Sequence, residues 1–238
     1  MRTVEEEVIW VKQWISQQLE NTRTIPYIPF RVLLYITIIE GFAQQVVNYQ
    51  KRQNAKYFSD FIVEYGGAFR DILNEICPVT LYYDYRAIFE FNSLKLQDAR
   101  IYSAGDRELA DEALRLCNLM PVEKRCSLSG KHKYAYLIYA MRNKVVHELN
   151  YINSPINFQQ KSEYQVPHIA MRSKRKLDEQ SGEAKLELDA WMLHIPVQFV
   201  EDILCETTSN YLEECIRNQK MPFGNHSDER KFQLAWYD

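Results

Sequence analysis

The sequence predicts a mainly α-helical protein: a helical bundle followed by a β-hairpin and a last helix. Three observations carry this. Apolar residues recur at helical spacing through most of the first 155 positions. Seven glycines in 238 residues are too few for an all-β fold rich in tight turns, or for a Gly-rich phosphate loop. After position 155 the period changes from helical to alternating. The expected organisation is therefore a bundle over 1–155 and, packed on it, a hairpin-plus-helix extension over 156–238.

Thr3 precedes three glutamates and then Val8, Val11, Trp14 or Ile15, and Gln18 or Leu19, which predicts a capped helix over about 4–20. Ile25-Pro26-Tyr27-Ile28-Pro29-Phe30 is expected to be extended, because each proline disfavours helix in the residue before it. An almost wholly apolar helix over about 30–52 is the expected centre of the core. Helices follow over about 55–65, interrupted by Gly66-Gly67, and over 69–76, stopped by Pro78. In 80–102 the aromatics suit a strand, but the length and charge content favour helix. Ser103 opens a capping-box-like Ser-x-x-Asp ahead of an amphipathic helix from Asp106 to Leu119. Lys131–Leu149 is the next strong helix, closed by Asn150 and Pro155. Residues 163–172 and 185–194 alternate, the second run with Leu186, Leu188, Ala190 and Met192 on one face. They predict a hairpin whose polar connection, Lys174 to Ser181, is mobile. Pro196 then starts a helix to about Gln219.

The formal net charge is −3, so any hold on nucleic acid has to be local. Cys77, Cys117, Cys126, Cys205 and Cys215 are odd in number, and no Cys-x-x-Cys pair occurs. They read as reduced thiols of a reducing compartment. The N-terminus is acidic, unlike a signal or transit peptide. The longest apolar run, Val32 to Ile39, ends at Glu40, far short of the roughly 18 residues of a membrane span. A cytoplasmic protein without membrane contact is expected. No motif for a cofactor or a metal is present, so neither is expected.

One segment speaks to chemistry: Met141-Arg142-Asn143-Lys144-Val145-Val146-His147. At 100° per residue, Leu137, Ile138, Met141, Val145 and Leu149 fall within about 60° of Tyr134 and form a core stripe. Asn143 and His147, four residues apart, fall roughly opposite it, and Arg142 sits on its border. Residues 131–176 carry nine Lys/Arg against Glu148 and Glu163, a local charge of +7 that leaves −10 for the rest of the chain. Lys131, Lys133, Lys144, Arg172, Lys174, Arg175 and Lys176 are thereby candidate contacts to RNA phosphates.

Arg142-Asn143-Lys144-Val145-Val146-His147 resembles the Arg-x(4–6)-His motif of the HEPN superfamily, including the polar residue that often follows its Arg. The resemblance spans the bundle, about 1–155, and its specific part is six residues long. It implies a helical-bundle, metal-independent endoribonuclease of toxin–antitoxin or anti-phage type, acting as a homodimer with motifs from two copies in one site. The subfamily that continues His-x-Tyr is not matched, since His147 is followed by Glu148-Leu149. In this reading His147 exchanges a proton with a ribose 2′-hydroxyl or the leaving 5′-oxygen. Arg142 holds the phosphate and stabilises its developing charge, and Asn143 orients His147.

Two other residue sets carry possible chemistry. Glu40 interrupts an apolar helix, either as a buried partner for Arg142 or, the reading favoured, as a helix-edge carboxylate. His168 and His194 face each other across the hairpin, but a metal needs more ligands than the sequence supplies. Two alternatives compete with the ribonuclease. One is a non-catalytic HEPN-type module that binds a partner protein or nucleotide. The other is a helical assembly subunit in which the motif is accidental.

Overall fold

The computed structural model describes residues 2–46, 54–89, 94–97, 100–123, 125, 130–148, 156–159, 163–177 and 184–223; for 144, 146–148, 173–177 and 184–189 it describes the backbone alone. The protein is mainly helical with a small four-stranded sheet.

α1 (Val4–Arg23) starts at a full capping box: Glu6 N donates to Thr3 Oγ1 and Thr3 N to Glu6 Oε2. It buries Val8, Val11, Ile15 and Leu19. α2 (Ile28–Val46) begins earlier than expected, with Pro29 inside its first turn. A proline is tolerated there because its missing N–H is one the helix leaves unpaired anyway. The predicted end of this helix, 47–52, lies outside the described residues. α3 (Asn54–Glu64) leads through a 3₁₀ turn (Gly67–Phe69) into α4 (Arg70–Asn74).

The 80–102 segment is not one long helix. Pro78 starts α5 (Pro78–Asp84) at N1, with Cys77 extended before it. The chain then turns through 85–89 and reaches a two-residue strand, β1 (Tyr102–Ser103). α6 (Arg107–Leu119) has Asp106 rather than Ser103 at its N-cap position, without a capping hydrogen bond from its side chain. Ser103 is occupied in β1, and its N–H donates to Asp106 Oδ2 at 2.9 Å.

α7 (Tyr134–Glu148) follows a 3₁₀ turn (Gly130–His132), so the predicted helix loses its first residues to that turn. Tyr134, Leu137, Ile138, Met141 and Val145 are buried, as the stripe requires. Ala135 and Tyr139 are buried too, because α7 packs on α2, α3 and α4 and so has covered flanks. Leu149 lies outside the described residues.

β2 (Ile156–Gln159), β3 (His168–Leu177) and β4 (Ala184–Pro196) complete the sheet, in the order β1-β3-β4-β2. β3 and β4 pair antiparallel, the predicted hairpin, while β2 joins β4 in parallel. Residues 174–177, expected in the mobile connection, belong to β3, and 178–183 lie outside the described residues. The register shifts between Arg172 and Ser173, whose partners are Ala190 and Leu188. Asp189 is therefore the extra residue of a bulge, and the facing set reverses there. Leu186 and Leu188 lie on one face of the hairpin and Ala190 and Met192 on the other, correcting the single apolar face expected for this run.

α8 (Val197–Arg217) leaves β4 directly, with Pro196 as its N-cap. It packs on α1, α2 and α3. One core cluster joins Val11, Ile39, Phe58 and Ile138 of the bundle to Leu193, Val200 and Leu212 beyond position 155.

Candidate functional site around Arg142

Arg142 lies in the last two turns of α7, between buried Met141 and exposed Asn143. Its Nη2 is 3.4 Å from Oε2 of Glu40 on α2, and its Nη1 donates to Asn143 Oδ1 at 3.2 Å. Glu40 is thus the buried partner of Arg142. The helix-edge reading favoured from sequence is overturned, because the packing of α2 against α7 turns this position inward.

Two more donors converge on the same carboxylate. Tyr139 Oη donates to Glu40 Oε1 at 3.2 Å, and Asn54 Nδ2 donates to it at 3.4 Å. Burial and then the Glu40 charge push the Tyr139 phenol up to about 12, so it stays protonated and donating. Phe58 packs against the Tyr139 ring at 5.3 Å. Tyr139 and Asn54 were not picked out from the sequence. Glu40 carried a signal, since a lone carboxylate in an apolar helix needs partners.

The arrangement fixes the guanidinium while leaving part of it accessible. The Arg142 side chain is 28 % exposed, against 8 % for Glu40. Two unit charges about 4 Å apart attract by about 4 kcal/mol at an effective dielectric of 20. That exceeds the roughly 2 kcal/mol of side-chain entropy an arginine loses on ordering. Among the described residues Arg142 Nε is buried without a hydrogen-bond partner, and the contact with Glu40 is made through Nη2. The guanidinium is a positioned but partly neutralised cation.

The other predicted residues divide. His147 lies in the last turn of α7, one turn beyond Asn143, and its side chain, like that of Lys144, is outside the described residues. Lys133 Nζ donates to Asn74 Oδ1 at 3.0 Å. It lies nine residues before Arg142, roughly 13 Å along the helix axis. Lys131, in the preceding turn, is further still, so neither lysine converges on the motif. Arg172, Lys174, Arg175 and Lys176 are in β3, with Arg172 exposed.

His168 and His194 do meet across β3 and β4. Their rings stack at 5.2 Å and 17°, with Tyr164 against His168 at 4.6 Å. Gln159 Nε2 lies 2.9 Å from His194 Nδ1. Burial and then His168 push the His194 imidazole down to about 4. Parallel rings present faces rather than converging lone pairs, and no cluster of three metal-ligating side chains exists among the described residues. The metal reading gains nothing. A separate cleft of about 320 Å³ has Glu64, Glu213 and Glu214 in its lining against Arg70 and Arg217, so carboxylates outnumber cations and it suits a phosphodiester poorly. Among the described residues, no helix is long and apolar enough to cross a membrane.

No protein-family model, no curated protein and no solved structure matches this chain.

Proposed function

We propose that the protein is a metal-independent endoribonuclease of HEPN type, cleaving RNA by attack of a ribose 2′-hydroxyl on the adjacent phosphorus. The observation that carries this is the setting of Arg142. The guanidinium is anchored by Glu40 at the edge of the core, and Asn143 is exposed beside it. His147 follows Asn143 by four residues, about 40° around the helix. A positioned cation and an imidazole on the same helix are the side chains such a transesterification needs.

In this reading Arg142 stabilises charge on the phosphoryl oxygens, His147 moves the proton, and Asn143 orients it. One copy supplies one imidazole, so a homodimer with two facing motifs completes the acid/base pair. A defence or toxin–antitoxin role in the cytoplasm, with an antitoxin or other regulatory partner, belongs to the same reading. A non-catalytic HEPN-type module is the second reading. It is favoured by the neutralisation of Arg142 by Glu40, which also suits a structural role.

The test is cleavage of a labelled RNA in excess EDTA, with the product ends analysed. Cleavage leaving 2′,3′-cyclic phosphates, with a DNA of the same sequence inert, is the expected result. Activity that disappears with EDTA, or that cuts DNA equally, contradicts the mechanism.

A further inference from the structure

The basic run at 172–176 is divided by the sheet. β1 pairs β3 only at His168 and Ile169, and β2 pairs β4 only at 193–196. Over 170–177 and 184–192, among the described residues, β3 and β4 pair only with each other as a two-stranded ribbon. Register partners share a face. One face carries Arg172, Lys174 and Lys176, opposite Ala190, Glu187 and Lys185, with Asp189 the extra residue of the bulge. The other carries Ser173, Arg175 and Leu177, opposite Leu188, Leu186 and Ala184. This second row continues the side of Ile169, Trp191 and Leu193, which are buried in the core.

We propose that the Arg172-Lys174-Lys176 face of this ribbon, with Lys185, is a docking strip for the phosphate backbone of single-stranded RNA. The proposal rests on the ribonuclease reading and gives that substrate a second point of attachment. Cations two residues apart on a strand are spaced by about 6.7 Å, a line that tracks a linear polyanion. Lys176 and Lys185 are direct register partners. Like charges so placed destabilise a hairpin, and a bound polyanion relieves the repulsion. The strip's own face has four Lys/Arg (Arg172, Lys174, Lys176 and Lys185) against Glu187, with Asp189 in the bulge, on a chain whose total is −3. A flat anionic membrane would also meet the acidic remainder, whereas a strand of RNA need touch only the strip. Arg175, one residue from Lys174 and Lys176, falls on the opposite face and takes no part.

The experiment is fluorescence anisotropy of the full chain in a His147→Ala background, so that the probe is not cut. The probe is a labelled single-stranded RNA of about 30 nucleotides, titrated from about 50 to 200 mM salt. Arg172→Ala/Lys174→Ala/Lys176→Ala is expected to lose at least about tenfold in affinity. Its slope of log affinity on log salt should become shallower by about 2, for three lost phosphate contacts on a single strand. Lys174→Arg/Lys176→Arg and Arg175→Ala should both bind as the background does, separating loss of charge on one face from damage to the hairpin. The proposal is overturned if the triple variant keeps its affinity and slope, or if Arg175→Ala is weakened equally. It is also overturned if the background protein binds no RNA, or binds only anionic lipid vesicles. If cleavage survives His147→Ala, the catalytic reading fails, while the order of affinities among the ribbon variants still decides the strip.

Discussion

Glu40 receives three groups at once: the Tyr139 hydroxyl, the Asn54 amide and the Arg142 guanidinium. Removing it leaves a buried phenol without its acceptor and a partly buried cation without its counter-charge. Glu40→Ala should therefore lower stability by about 2–4 kcal/mol in urea denaturation, and Glu40→Gln by less, because the amide oxygen still accepts. A loss below about 0.5 kcal/mol for Glu40→Ala would mean that water already screens the cluster. The His168–His194 stack gives a second residue-level prediction. His194 is pushed from 6.5 down to about 4 in the folded protein, so between those values the unfolded chain binds the proton and the folded chain does not. Its contribution to stability is intact above about pH 6.5 and is lost progressively as pH falls to about 4. His194→Gln should flatten the dependence of the denaturation midpoint on pH across that window; an unchanged slope would show that the imidazole titrates normally in the fold. At this scale the sequence exposed the anomalies, a carboxylate in an apolar run and two histidines on facing strands. It offered Arg142 for Glu40 without favouring it, and His168 for His194, but not Tyr139 or Asn54, because helical periodicity does not say which neighbour a given face meets.

Elements with one dominant local signal were legible, and those decided by tertiary partners were not. Thr3, the apolar run of α2, the stripe of α7 and Pro196 each set an element close to where it lies. The 80–102 segment failed because Tyr102, with Ser103, is recruited as an edge strand by β3, whose partner residues Ile169 and His168 are 67 and 65 positions away. The face of Leu186 and Leu188 failed because a bulge, invisible to strict alternation, reverses the set at Asp189. The phase of α7 is the element-level claim that matters for the site. Met141→Ala, at a fully buried position, should cost about 2–5 kcal/mol. Asn143→Ala, on the exposed face, should stay within about 0.5 kcal/mol. Equal losses in thermal denaturation of the two variants would show that α7 is rotated from this placement.

In the whole molecule, a single core runs from α1 through α7 into β4 and α8, so the hairpin is attached to the same packed body as the motif helix. Charge is arranged differently: +7 over 131–176 against −10 elsewhere. The motif itself was readable as six residues, whereas its anchoring by Glu40 needed the packing of α2 on α7. The central claim is that Arg142 and His147 together cleave RNA. Its most direct measurement is the single-turnover rate of RNA cleavage, in EDTA, by folded His147→Ala protein beside the parent. The account predicts a loss on the order of 10²–10⁴, as for removal of a general acid–base group, with an unchanged thermal midpoint. Folded His147→Ala protein that cleaves as fast as the parent would contradict it.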